Sequence, residues 1–333
     1  MRIIKPAYFD SFRCIADRCP DSCCKEWEVE IDDRTAAYYR SLPGDLGDRL
    51  RAVLKDDPDW GTVMTIENGR CPMWRDDGLC RIQAELGHDA LCKTCREFPR
   101  LCHDYGTFRE YGLELSCPEA ARLILNTESR PYLIENLPGG DAPDYDEDAM
   151  AILLKTRETA LALIDNRNFS VPQILTLLLY YGYHSQLLLD AGDAPDFCED
   201  TRLAEAQELA FAGGEQELVE FFATLEILTP QWKERLAAPL SPTRWTDQFR
   251  NLACYFVERY WLQAVSDYDL ACRVKFIVAS CILVHLLGGD TVETAQLFSK
   301  EIENSDENVD SILDAAYSHP ALTDRNLLGM LQK

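Results

Sequence analysis

Ten of the fourteen cysteines in this 333-residue chain fall within its first 117 residues: Cys14, Cys19, Cys23, Cys24, Cys71, Cys80, Cys92, Cys95, Cys102 and Cys117. Thiolates oxidise readily and capture metals. So dense a cluster therefore points to disulfide staples, zinc or iron–sulfur. Small secreted folds need staples because their cores are thin, whereas this chain is long enough to bury a sizeable core in one large or two medium domains. The opening MRIIKPAYFDSFRC lacks the apolar run of a secretory leader, and no stretch reaches about 18 uncharged apolar residues. The most apolar run, Phe276 to Gly288, includes His285 and reads as a buried core helix. These features predict a cytoplasmic chain without a membrane partner. Thiols stay reduced in that compartment, which favours metal over disulfide.

Spacing narrows the choice. Cys92-x2-Cys95 sets two sulfurs on one side of a turn, within reach of one ion. Cys14-x4-Cys19-x3-Cys23-Cys24 forms a second group. Neighbouring side chains diverge in both strands and helices. Of Cys23 and Cys24, one is therefore expected to ligate while the other packs, or each serves a different site. Ten thiols allow two four-ligand sites with two spare, or one site and several structural cysteines. His88 and His103 are the region's two histidines, so an all-sulfur ligand set is expected. The steps Cys19-Pro20, Cys71-Pro72 and Cys117-Pro118 resemble ferredoxin ligand sites. With a single Cys-x2-Cys knuckle, they favour an iron–sulfur cluster of the 4Fe–4S type, zinc being the alternative. The Cys-x3-Cys-x2-Cys pattern of radical S-adenosylmethionine enzymes begins at Cys19-x3-Cys23 but meets Glu26 where its third cysteine belongs.

The patterning predicts a mainly α chain: an irregular cysteine-rich domain over 1–130 with short strands and a hairpin, a linker over 131–147, and an all-helical domain over 148–333. Glu26 to Asp32 alternates like a half-buried strand, and Asp32-Asp33 then opens a helix. Residues 62–83 read as a hairpin turning at Asp76-Asp77-Gly78, with Cys71 and Cys80 on adjacent strands. Pro131, Pro138, two glycines and Pro143 mark the break. Helices are expected over 148–165, 171–190, 201–212, 215–228, 245–265, 270–287, 292–303 and 308–317.

The net charge of −24 is uneven, −5 over residues 1–117 and −19 over residues 118–333. Such a surface repels nucleic acid and anionic lipid and attracts a lysine-bearing partner, although solubility alone also accounts for it.

Pro6-Ala7-Tyr8-Phe9, Phe12-Arg13-Cys14 and Cys19-x3-Cys23-Cys24-x2-Trp27 resemble the opening of the flagellin lysine-N-methylases. Cys71-Pro72, Asp77-Gly78-Leu79-Cys80-Arg81-Ile82, Leu91-Cys92-x2-Cys95-x2-Phe98-Pro99-Arg100 and Ser116-Cys117-Pro118-Glu119 follow in the order of that family's further blocks. The match covers residues 6–119. The helical remainder is similar only in character, notably at Asn251-x3-Tyr255 and Asp269 to Leu287. The resemblance implies a bacterial cytoplasmic enzyme that transfers methyl groups from S-adenosyl-L-methionine to lysines of flagellin, with an iron–sulfur cluster on the N-terminal cysteines. A non-catalytic iron or zinc delivery protein and a thiol redox protein are the alternatives.

No glycine-rich strand–turn–helix for S-adenosylmethionine is present. Gly139-Gly140-Asp141 and Gly288-Gly289-Asp290 read as turns. His103 is a conceivable ligand or a neighbour of one. His285, Cys254, Cys272 and Cys281 read as core residues, and Cys198 as inert. Tyr180, Tyr181, Tyr183, Tyr255, Tyr260 and Trp261 would either line a methylammonium pocket or pack as ordinary helix aromatics. Arg96 and Arg100 would offset thiolate charge or lie exposed. No carboxylate stands out as a catalytic base.

Overall fold

The computed structural model describes residues 1–25, 27–127, 132–209 and 213–332. Helix accounts for 58% and strand for 11%, so the chain is mainly α, its short N-terminal strands preceding a helical bundle. The strands among these residues are β1 (Arg2–Pro6), β2 (Val29–Glu30), β3 (Leu54–Asp57), β4 (Gly61–Met64), β5 (Arg100–Asp104), β6 (Phe108–Leu113) and β7 (Tyr132–Asn136). They form two sheets, ordered β5-β6-β1-β7 and β2-β4-β3. In the larger, β1 runs parallel to β6 and antiparallel to β7, with Arg2 opposite Asn136 and Pro6 opposite Tyr132. Part of the 131–147 segment thus completes a sheet begun at the N-terminus; residue 131 itself lies outside the described residues.

The Asp76-Asp77-Gly78 turn forms where the patterning predicts, the Arg75 amide donating to the Leu79 carbonyl at 2.9 Å and the Arg81 amide to the Met73 carbonyl at 2.7 Å, but the hairpin of extended strands lies earlier in the chain. It joins β3 to β4, with Leu54 opposite Met64 and Asp57 opposite Gly61. The Asp57 carboxylate closes the turn by accepting from the Asp59 and Trp60 amides at 2.9 Å each. β4 therefore pairs with β2 and β3 rather than with residues 71–74. Pro72 lacks the N–H that a ladder needs there. Residues 71–80 instead fold back through an isolated Trp74–Cys80 bridge, with Gly78 at φ +80°. The predicted 26–32 strand shortens to Val29–Glu30, Glu26 lying outside the described residues. The next helix, Asp33–Ser41, is capped by Asp32, which accepts from the Thr35 amide.

Helices Glu147–Asp165, Val171–Ala191, Asp247–Tyr260, Leu270–Leu287, Thr291–Ile302 and Asp306–Ala315 fall close to their expected places. Glu199–Leu209 covers most of the expected 201–212 helix, whose last three residues lie outside the described residues. The 215–228 expectation ends early, at Ala223, and a further helix, Pro230–Ala237, follows. Thr229 starts it by accepting from the Trp232 amide at 3.2 Å, so the Thr-Pro step opens a helix instead of breaking one. Asp324–Leu331 was likewise not expected.

Leu270–Leu287 is long and apolar enough to cross a membrane by composition, but 94% of it is buried inside the fold. Around it the larger core gathers the helices together with Ile4, Phe108 and Leu113 of the four-stranded sheet. A separate, smaller core contains Val29, Ile31, Tyr39, Leu50, Met73, Ile82 and Cys92. The cysteine-rich lobe over roughly residues 14–98 thus has its own interior, while the strands flanking it in sequence belong to the helical body.

Candidate active site

Six thiols converge on the small lobe, delivered by four segments. Cys23 and Cys24 sit in a turn, and the Cys71 amide donates to the Cys24 carbonyl at 2.8 Å, tying two of these segments together. Cys71 Sγ lies 3.5 Å from Met64 Sδ. Cys80 precedes the Arg81–Leu86 helix, and Cys92 precedes the Lys93–Glu97 helix that carries Cys95. The Cys24 thiol lies within hydrogen-bonding reach of Cys23 and Cys71; those contacts, with burial, raise its own pKa, and the same contacts outweigh burial to lower theirs, that of Cys71 to about 7. Cys92 and Cys95 form a second hydrogen-bonded pair, with Cys92 pulled down and Cys95 pushed up. Repulsion from Cys23 and Cys71 reaches both Cys80 and Cys95, so the six share one electrostatic neighbourhood. The expected divergence of Cys23 and Cys24 is therefore corrected: a turn, unlike a strand or helix, brings adjacent side chains together.

Cys14, Cys19 and Cys117 form a second neighbourhood of three. Cys102 stands apart on β5, exposed and opposite Tyr111 of β6. Among the described residues no three Cys, His, Asp or Glu side chains are arranged as a closed metal site. The chemistry of the six-thiol donor set nevertheless suits a sulfur-ligated centre, because it is all sulfur, and metal binding would displace the thiol protons. His103 is directed elsewhere. Among the described residues its buried Nε2 has no hydrogen-bond partner, and burial together with Arg259 and Arg157 lowers its pKa.

A cavity of about 450 Å³ opens beside Cys23 and Cys95 at the junction of the two lobes. Trp27 and Phe98 form an aromatic wall, with ring centroids 6.4 Å apart at 48°. Val29 and Leu228 add apolar surface, and Glu28, Glu114, Glu303 and Asp306 supply carboxylates. Lys300 Nζ lies 5.6 Å from the Trp27 ring centre and 2.9 Å from Asp21, which sits between Cys19 and Cys23. Burial would raise the pKa of Asp21, but the Lys300 ammonium outweighs it and holds the group ionised. Lys300 and Thr229 also line a neighbouring cleft of about 1000 Å³.

Behind the cavity Glu303 is fully buried. Its carboxylate accepts from Tyr255 Oη at 3.0 Å and Tyr260 Oη at 2.8 Å and pairs with Arg259 at 3.2 Å. Arg259 also donates to Tyr255 Oη at 2.8 Å, as does the Leu115 amide at 3.3 Å. Tyr255 thus ties the end of β6 to the helices. Asn251, one turn earlier, donates to the carbonyls of Leu125 and Thr127 at 2.8 and 3.0 Å. The six aromatics of the methylammonium expectation do not converge on one pocket. Tyr181 stacks on Trp261, Tyr183 donates to Asp324, and Tyr255 and Tyr260 serve Glu303. His285 stacks on Trp245 with ring centroids 3.9 Å apart, and burial lowers its pKa to about 4. Gly288 and Gly289 form a turn, after which Asp290 caps the next helix.

No family model and no solved structure matches the chain. Proteins named lysine-N-methylase from Salmonella typhimurium and Salmonella choleraesuis are each 29% identical to it over 202 residues, covering 58% of this chain and 49% of theirs. The flagellar biosynthetic protein FliU of Salmonella muenchen is 34% identical over 130 residues, covering 37% of this chain and 77% of that protein. The chain belongs to the flagellin lysine-N-methylase family. It spans about half the length of the lysine-N-methylases it matches. In this family member the cysteines were legible from sequence, whereas the Glu114–Glu303–Arg259 arrangement was not. The Tyr255-x3-Arg259 pair on one helix face was its one local signal.

Proposed function

We propose that the protein is a protein lysine N-methyltransferase that uses S-adenosyl-L-methionine, acts on flagellin and carries an iron–sulfur cluster, with zinc as the alternative metal. The observation that supports this most directly is the cavity joining thiols, aromatic walls and carboxylates beside the cysteine lobe. Apolar walls suit the lysine stem and carboxylates suit its ammonium. The neighbouring cleft of about 1000 Å³ lies at the upper end of the usual small-molecule range, as a nucleoside-bearing donor requires. Ligands would come from Cys23, Cys24, Cys71, Cys80, Cys92 and Cys95, since Cys14, Cys19 and Cys117 fall short of four. Bound there, such a cluster supplies a redox-active, Lewis-acidic centre. The chain's own residues hold the lysine against Trp27 and Phe98 and exclude water from its amine.

The test is anaerobic incubation of the purified chain with labelled S-adenosylmethionine and flagellin. Label on flagellin lysines is expected. Its absence with metal bound and donor present would refute the reading and favour a metal-binding role.

A further inference from the structure

We propose that the cavity beside Cys23 and Cys95 is the subsite for the acceptor lysine, and that Glu114 receives its ammonium and takes its proton. This rests on the methyltransferase reading and names the base that reading needs. An ammonium has no lone pair to attack a methyl group, and lysine in water keeps its proton up to about pH 10.4. Transfer near neutral pH therefore requires a desolvating site and a proton acceptor within it.

Among the described residues four carboxylates line the cavity, and three are unsuited to the task. Both Glu303 oxygens are committed to Tyr255, Tyr260 and Arg259. Glu28 and Asp306 are exposed, where water competes for the ammonium. Glu114 is half-buried at the end of β6. Among the described residues the one hydrogen bond its carboxylate accepts is from Ser116 Oγ, at 3.2 Å. Its charged and titratable surroundings come from every side: Arg259 and Tyr255 on one helix, Lys300 and Glu303 at the end of another, and Glu28, Cys23 and Cys95 on the cysteine lobe. Burial, with Glu303 nearby, raises the Glu114 pKa although Arg259 opposes it, and a more basic carboxylate is a better proton acceptor.

The step balances. An Nζ–H bond breaks and the proton moves to the Glu114 carboxylate. The freed nitrogen lone pair forms the new N–C bond to the donor's methyl carbon. The carbon–sulfur bond breaks, and its electron pair stays on the sulfur as a neutral thioether. Glu114 then returns its proton to solvent.

The experiment uses the full, metal-loaded chain as wild type, Glu114→Gln, Phe98→Ala and, as a control, Glu158→Gln, an exposed carboxylate on the Glu147–Asp165 helix. Calorimetry measures binding of a short lysine peptide and its norleucine counterpart. Methylation is followed from pH 6 to 10. Glu114→Gln is expected to weaken the lysine peptide at least about tenfold, to leave norleucine binding unchanged and to lower kcat roughly 100-fold near neutral pH. The deficit should shrink as rising pH deprotonates the amine without help. Phe98→Ala should weaken both peptides. Lysine binding and a pH profile unchanged in Glu114→Gln would overturn the assignment. Wild type that binds lysine through Glu114 but transfers no methyl would uphold the subsite and overturn the methyltransferase reading instead.

Discussion

Replacing Glu303 by Ala tests whether the junction behind the cavity is held by a buried charge network. The Glu303 side chain is 0% exposed and that of its partner Arg259 14%. Removing one member of a buried ion pair leaves the other charge desolvated and alone, at a cost of about 3–5 kcal/mol. Tyr255 and Tyr260 also lose their acceptor, but all these groups share one network, so their separate costs do not add. Glu303→Ala should therefore lower the unfolding free energy by about 3–5 kcal/mol. Glu303→Gln keeps an acceptor and should cost less. The double variant Glu303→Ala, Arg259→Met removes the stranded charge along with its partner, and should be more stable than Glu303→Ala alone. Urea titrations followed by tryptophan fluorescence would measure all three, with the midpoint and slope compared separately. A loss below about 1 kcal/mol in Glu303→Ala, the range of an exposed pair, would refute the reasoning. So would a double variant no better than the single one.

Three further outcomes are expected. Cys92→Ala and Cys95→Ala should each lose bound metal by elemental analysis, whereas Cys102→Ala, exposed on β5 away from the six thiols, should keep it. Gly182→Ala should destabilise by about 1–3 kcal/mol in the same titrations despite alanine's better helix propensity, because the added Cβ would meet the Val274 methyls at 2.7 Å. For His285, the folded pKa of about 4 lies below the unfolded value of about 6.5. The unfolded chain therefore binds the proton first, so stability should fall as pH drops below about 6.5 and stop falling on this account below about 4. Comparing the stability–pH slopes of His285→Phe and wild type across that window isolates the effect, and identical slopes would refute it.

Helices were legible where apolar residues recur at helical spacing and a capping residue precedes them, as at Ser170 and Asp269. The helices that escaped notice, among them Gly44–Val53, Pro118–Leu125, Pro230–Ala237 and Asp324–Leu331, are short and offer too few turns for a period to show. The expected turn at Asp76 to Gly78 forms, but the extended hairpin sits at the other turn, for a related reason. Two segments carried turn chemistry, Asp57 to Gly61 and Asp76 to Gly78, and local propensity ranks neither above the other. What separates them is partnership with β2, a strand more than twenty residues away in sequence, and the proline that bars residues 71–74 from a ladder.

The site shows the same limit more sharply. Cys92-x2-Cys95 is a local signal, since a single turn brings its sulfurs together. The approach of Cys71 to Cys24 depends on a backbone hydrogen bond across 47 residues, which no spacing rule reports. The cavity carboxylates lie farther apart still: Glu114 directly follows β6 of the N-terminal sheet, while Glu303 follows the Thr291–Ile302 helix. What unites them is that this sheet is built into the helical core, with Tyr255 taking the Leu115 amide on one side and serving Glu303 on the other. A reading that divides the chain into a metal-binding part and a helical part misses this, because the carboxylates come from the body while the aromatic wall and thiols come from the lobe. Chemistry at the junction then depends on how firmly the lobe is seated. The Asp21–Lys300 pair joins the cysteine segment to the helical body at 2.9 Å, and Lys300 itself lines the cavity, so the lobe's seating and the acceptor site share a residue.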